Sequence, residues 1–177
     1  MNHQDHVNLL RDGIPSREAQ VWADLGSGGG AFTLALADLL GQSSHIYSID
    51  KNAGALRDQE RIMRTQFPTL TVEYRAADFT KPLSLPPLDG IVMANSLHFI
   101  ANQQKPSVLA LVKSYLKPDG RLILVEYNVD QGNFAVPYPF SYHTWEVLAK
   151  RSEFVSTRLL MVRPSRFLGE IYSAVSE

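Results

Sequence analysis

The residues best placed to do chemistry begin at Asp24, in the run Asp-Leu-Gly-Ser-Gly-Gly-Gly over positions 24 to 30. Glycines there let backbone approach a ligand closely, and a helix starting at once offers unpaired N–H groups. Gly26, Gly28 and Ala31 fit the spacing G-x-G-x-x-G/A, and Asp50 follows about 20 residues on, where a ribose-binding acid belongs. Two ligand classes share this opening, and Asp24 separates them. A carboxylate at that strand end repels the pyrophosphate of a dinucleotide. It attracts a ligand carrying a sulfonium and an ammonium.

The elements that must position these residues are legible from periodicity. Val21 to Leu25 reads as a buried strand. Phe32, Ala35, Leu36, Leu39 and Leu40 then form one helical face, and Gly41 stands where a left-handed helix stop is expected. His45 to Asp50 is a second strand ending on an acid. A helix from Ala53 to Phe67 turns Ala53, Leu56, Met63 and Phe67 inward and stops at Pro68. Leu70 to Arg75 alternates as a third strand, followed by Ala77-Asp78-Phe79. Asp89 to Asn95 is an apolar fourth strand, buried on both faces, and it leads into Ser96-Leu97-His98-Phe99. Pro106 opens a helix that reaches the turn Pro118-Asp119-Gly120, and Arg121 to Tyr127 makes a fifth strand. Trp145, Leu148 and Ala149 mark a last helix, reaching about Ser152. Phe154 to Val162 and Phe167 to Val175 are joined at Arg163-Pro164-Ser165, too short a link for a crossover, so that pair is antiparallel. Ahead of all this, Val7, Leu9 and Leu10 predict a short helix within residues 1–19.

Asp-Leu-Gly-Ser-Gly-Gly-Gly resembles the first motif of the class I S-adenosylmethionine (SAM)-dependent methyltransferases. Ile46 to Asp50, Ala77-Asp78-Phe79, Leu88 to Asn95 and Leu116 to Leu122 resemble the later motifs, in the family's order and over nearly the whole chain. The resemblance implies an α/β, Rossmann-like three-layer sandwich. Its seven-stranded, mostly parallel sheet would have order 3-2-1-4-5-7-6, the last strand antiparallel. It implies SAM as cofactor and S-adenosylhomocysteine as product. Asp24, Gly26, Ser27, Gly28, Asp50, Lys51, Asp78, Phe79 and Asn95 would form the cofactor site, with Asp78 toward the adenine amino group. The N-terminal segment would pack near that site, so that Asp5 and His6 approach it. The corner after Asn95 would face the methyl group. It lacks the Asn-Pro-Pro-Tyr or Asp-Pro-Pro-Tyr of many enzymes that methylate amide or exocyclic amino nitrogens. It also lacks the aspartate of the magnesium-dependent catechol type, so no metal is expected.

The Asn128-to-Tyr142 segment, with Phe134, Tyr138, Phe140 and Tyr142, changes character from the rest of the chain. His98, His143, Tyr138 and Tyr142, with Tyr127, are the candidates to face an acceptor; either histidine can serve as base if the acceptor must lose a proton. Plainer roles exist for each: helix cap for Asp50, turn former for Asp78, core histidine for His98. A non-catalytic SAM-binding sensor or partner subunit would carry the same glycine loop. An NAD-dependent oxidoreductase would need a Tyr-x-x-x-Lys pair and a substrate domain, and neither is visible.

Composition narrows the partners. The 177 residues carry a net charge of −1 without a basic block, which argues against a nucleic-acid or anionic-membrane surface. An apolar content of 45% is enough for a real core in one domain over residues 1–177. Zero cysteines exclude disulfides, thiolate metal sites and cysteine nucleophiles, and fit a cytoplasmic protein. The polar start and the lack of a long apolar run predict neither signal peptide nor membrane span. The expectation is a small-molecule methyltransferase whose acceptor, methylated atom and oligomeric state the sequence leaves open.

Overall fold

The computed structural model describes residues 1–177. Seven strands form one sheet in the order β3-β2-β1-β4-β5-β7-β6. They are β1 (Val21–Leu25), β2 (His45–Asp50), β3 (Thr71–Ala76), β4 (Leu88–Ala94), β5 (Leu116–Tyr127), β6 (Thr157–Ser165) and β7 (Gly169–Ser176). The first five pair in parallel, while β7 runs antiparallel to both β5 and β6. The expected order and the antiparallel closing pair are both present.

Parallel strands need cover on both faces, and the side chains divide accordingly. One face carries Ala23, Leu25, Ile91, Met93, Leu122 and Leu124. It packs against Val108, Leu109 and Val112 of α4 (Lys105–Ser114) and Trp145 and Ala149 of α5 (Tyr142–Arg151). The other carries Trp22, Ile46, Val92, Ile123 and Val125. It is covered by α1 (His3–Arg11), α2 (Ala31–Leu40) and α3 (Ala53–Gln66), through Leu9, Leu10, Leu36 and Met63 among others. Period-two alternation along each strand thus serves two cores at once. No helix is long and apolar enough to cross a membrane.

Three boundaries differ from the sequence expectation, each for a physical reason. The closing turn lies later than Arg163-Pro164-Ser165. These three residues belong to β6, and the turn falls at Arg166 to Leu168, where Leu168 and Gly169 take positive φ (57° and 78°). Proline is tolerated there because β6 is an edge strand with no outer partner. Pro118-Asp119-Gly120 does not end an element before β5. It lies inside the strand, where the register against β4 slips between Leu88 and Gly90. The last helix begins earlier, at Tyr142, because the Ser141 hydroxyl caps it by accepting the Thr144 N–H at 3.3 Å. Tyr142 and His143 are therefore helical.

Helix α1 opens on a capping box between Asn2 and Asp5, and Asp5 also pairs with Arg163 of β6. His6 lies against Phe32 of α2, with ring centroids 4.9 Å apart. These contacts tie the N-terminal segment to α2 and the far sheet edge.

Gly90 shows how tightly β4 meets β1. A Cβ there would fall 2.4 Å from ring atoms of the fully buried Trp22, which has nowhere to move. Gly90→Ala is expected to cost about 1–3 kcal/mol of stability, as overpacking does. Denaturant unfolding measures this, with Gly29→Ala as a control: a Cβ at Gly29 meets nothing within 4 Å, and that variant should unfold like the parent.

Candidate functional site

Strands β1 to β4 are parallel, so their carboxyl ends, with Asp50, Asp78 and Asn95 at or just beyond them, gather at one sheet edge. The glycine loop is held there by its own backbone. Gly26 and Ser27 N–H groups donate to the Ile49 carbonyl at 2.8 and 3.1 Å, and the Gly28 N–H donates to Asp50 Oδ2 at 2.8 Å. Asp50 Oδ1 accepts the Asn52 N–H at 2.7 Å. Each carboxylate oxygen keeps a further lone pair. Gly26 takes φ +80°, and a Cβ there would lie 2.5 Å from the Ser96 Cβ. Around Gly28 and Gly29 the space is open, so an incoming group meets bare backbone.

Beside the loop is a cavity of about 370 Å³ lined by Gly26, Asp50, Lys51, Phe79, Thr80, Asn95, Ser96, Phe99 and Ile100. Its size is in the small-molecule range of roughly 300–1,000 Å³. At one wall Lys51 Nζ pairs with Asp78 Oδ2 at 3.0 Å, and Asp78 Oδ1 accepts the Thr80 N–H and hydroxyl at 2.9 and 2.7 Å. Burial works against the Asp78 charge, but the Thr80 hydrogen bonds and Lys51 together hold its carboxyl below the usual range. Asn95 adopts φ 51°, uncommon for a residue with a side chain, and its buried Oδ1 has no hydrogen-bond partner in the chain. An unpaired buried acceptor at a cavity wall is what a ligand-contacting residue presents, and the left-handed backbone that asparagine tolerates holds it there.

Asp24 is placed differently from the expectation that it faces the ligand. It is 1% exposed and does not line the cavity. It accepts the Thr33 hydroxyl at 2.7 Å, Thr33 accepts Gln59 Nε2 at 2.5 Å, and Ser48 donates to Gln59 Oε1 at 2.7 Å. Ser27 and Ser48 share a hydroxyl hydrogen bond of 2.8 Å, which closes the network beneath the loop. Burial raises the Asp24 carboxyl to about 7, against the hydrogen bond from Thr33 and with help from the Asp50 charge.

At the corner after β4, residues 97–99 form one 3-10 turn, and His98 is 2% exposed. Its Nδ1 lies 2.7 Å from Glu126 Oε2, while Glu126 Oε1 accepts the Leu97 and His98 N–H groups, each at 3.1 Å. The Nε2 makes no hydrogen bond within the chain. His98 is not itself a cavity wall. Its ring sits behind Phe99, at 4.3 Å between centroids, with Tyr127 at 6.0 Å. Phe99, Phe134 and Tyr138 are exposed (59%, 100% and 41%). The aromatic segment is fastened to the corner, since the Tyr138 N–H donates to the His98 carbonyl at 3.0 Å.

The other candidates disperse. Tyr142 packs edge-on to Tyr172 at 5.8 Å. His143 lies on α5 with its side chain 88% exposed and lines a separate cavity with Asn102, Lys105 and Arg151. Asp5 and His6 do not line the cofactor-sized cavity. No group of three His, Asp or Glu side chains is arranged to hold a metal ion. Glu126 and Lys105 were not singled out from the sequence. Glu126 had a readable signal: an acid closing the run Leu122 to Val125, in a strand buried on both faces, must have a partner. Lys105 carried none, since a lysine before Pro106 looks like an ordinary helix start.

Comparison with known proteins agrees with this geometry. A protein-family model described as a methyltransferase domain matches residues 17–155. No curated protein matches the chain. Among solved structures, the chain is similar to the YcgJ protein from Bacillus subtilis, with TM-score 0.79, 11% identity, and 98% of each chain covered. It is also similar to a SAM-dependent methyltransferase from Leishmania major, with TM-score 0.78 and 16% identity, covering 99% of this chain and 72% of that one. A third is the 1,6-didemethyltoxoflavin-N1-methyltransferase of Burkholderia thailandensis, solved with 1,6-didemethyltoxoflavin and S-adenosylhomocysteine. It gives TM-score 0.75 and 17% identity over 99% of this chain and 77% of that one. The chain belongs to the methyltransferase-domain family, in its class I, SAM-dependent form.

Proposed function

We propose that this domain transfers a methyl group from SAM to a small, partly apolar acceptor entering between the Asn95-to-Ile100 corner and the aromatic segment before α5. The observation that carries the reading is the Asn95 Oδ1 acceptor, left unpaired in a cavity that Gly26 of the glycine loop, Asp50, Lys51 and Phe79 line, with Asp78 held behind Lys51 by their ion pair. When bound, SAM supplies a methyl group already activated by its sulfonium. Asp50 accepts hydrogen bonds from ribose hydroxyls while its amide contacts keep it in place. Asp78 and Phe79 hold the base, and Asn95 takes an N–H or O–H donor. Asp24 acts from beneath the loop, through its field on a cationic ligand.

Transfer from such a donor is chiefly positioning and exclusion of water. Phe99, Phe134 and Tyr138 offer the apolar surface for both. Glu126 orients the His98 ring by accepting from Nδ1–H, which leaves the Nε2 lone pair to receive a proton. An acceptor reaching it passes beside Phe99. We read the enzyme as cytoplasmic, which its cysteine-free sequence fits, and as metal-independent, because the corner after Asn95 lacks the aspartate of the magnesium-dependent catechol type. Its near-neutral charge favours a small-molecule partner over nucleic acid or membrane.

Calorimetry is expected to show binding of SAM and S-adenosylhomocysteine but not of NAD. Asp50→Ala should weaken SAM about tenfold or more, since charge-assisted hydrogen bonds contribute about 1.5–3 kcal/mol each. Unchanged affinity in a folded Asp50→Ala variant refutes its role.

Asp24 gives a pH signature. Its carboxyl loses its proton near 3.8 in an unfolded chain and near 7 in the folded one. The folded state thus binds the extra proton, and stability from this group is lost as pH rises from about 4 to 7. A cation bound above favours the ionised form, so SAM affinity should rise up to about tenfold from pH 6 to pH 8. Asp24→Asn should flatten both trends, read by thermal melts and by calorimetry at each pH.

The acceptor is to be found by screening small molecules for SAM-dependent formation of S-adenosylhomocysteine. With one in hand, His98→Ala and Tyr138→Ala should lower turnover and leave SAM affinity within about threefold, under 1 kcal/mol. Full specific activity with reduced thermal stability would show that both residues only pack the sheet edge.

A further inference from the structure

Three ionisable side chains are buried together at the corner after β4: His98 (2% exposed), Glu126 (0%) and Lys105 (2%). Only His98 and Glu126 touch. Lys105 makes no ion pair. Its Nζ donates to the Tyr138 carbonyl at 2.6 Å and to Asn102 Oδ1 at 2.7 Å, and the ammonium lies 4.4 Å from the centroid of the Phe140 ring. Tyr138 passes the connection on, because its N–H donates to the His98 carbonyl. One lysine thus clamps the aromatic segment to the corner that carries the histidine.

We propose that Lys105 is a positioning residue that acts through His98: its buried ammonium balances the Glu126 carboxylate, so that the imidazole keeps Nε2 free as a proton acceptor. A buried carboxylate draws positive charge to itself, from whatever group can supply it. With Lys105 charged, the set of three is neutral while the imidazole carries no charge. Without it, proton uptake on His98 is the remaining way to neutralise Glu126. Glu126 is the one acid whose charge supports Lys105 against burial, which lowers that ammonium to about 8. The other charged groups near Lys105 are Asp130, His143 and Arg151 at the outer cavity. His143 is almost fully in solvent, and Asp130 is engaged by the Ser141 N–H at 2.9 Å, so screening weakens their influence. Tyr127 and Tyr172 also flank the group; burial and the Glu126 charge raise both hydroxyls, so they stay neutral.

The inference rests on the reading of His98 as a proton acceptor, but its test needs neither SAM nor an acceptor. The side-chain nitrogens of His98 are followed by NMR through a pH titration of the full chain. In Lys105→Met, which keeps the stem on Phe140 and removes the charge, the His98 midpoint should rise by about one pH unit or more, a tenfold gain in proton affinity. Lys105→Gln, which can still donate to the Tyr138 carbonyl, should show the same rise. Lys105→Arg should return the midpoint toward the parent's. An unmoved midpoint in either folded neutral variant overturns the proposal, whatever happens to thermal stability. So does a parent protein whose His98 is doubly protonated at neutral pH, a measurement that needs no variant. Failure of the methyl-transfer reading appears separately, as absence of SAM binding in calorimetry.

Discussion

A buried polar network beneath the glycine loop is the constraint on which the cofactor side of the molecule depends. Asp24, Thr33, Gln59, Ser48 and Ser27 come from β1, α2, α3, β2 and the loop, and each satisfies another. Such a set rigidifies when complete and is costly when broken. It explains why the loop has no room for a Cβ at Gly30, which takes φ +84° with Gln59 side-chain atoms 2.3 Å from the position a Cβ would occupy. The loop's outer surface is free because its inner surface is so fully engaged.

The acceptor side is organised on a different principle. There the buried groups carry charge, and the aromatic segment is fastened by backbone atoms of Tyr138, not by its side chain. The Tyr138 ring, with Phe99 and Phe134, remains exposed and available to an apolar molecule. Fixed backbone with exposed rings makes an apolar surface at low conformational cost, since each ring has few torsions left to order.

Much of this was legible in the sequence. Strand periodicity, Pro68 as a helix stop and the short link before β7 were enough to mark the elements and the antiparallel closing pair, while the order of the strands came from the family resemblance. The acids Asp50 and Asp78 were readable as edge residues, because each follows an apolar run. Three things were not readable. Whether Asp24 points at the cavity or beneath it depends on Thr33 and Gln59, which lie 9 and 35 positions later in the chain. That His143 stands apart from His98 follows from the Ser141 cap, which starts α5 early and turns the ring outward. Pro118-Asp119-Gly120 reads as a turn on local chemistry alone. Only the neighbouring strand converts it into an irregularity within β5.

The placing of β7 between β5 and β6 has a consequence for how the protein is made. The strand that follows both neighbours in the chain is the one that joins them. Until residues 169–176 leave the ribosome, β5 presents an unpaired edge and β6 has no place in the sheet. Strands β1 to β4, which carry the glycine loop and its acids, need none of these residues to find one another. Synthesis therefore delivers the cofactor half first. It holds the closing half open to chance pairing for the time taken to translate about fifty further residues, a few seconds at roughly 5–20 residues per second.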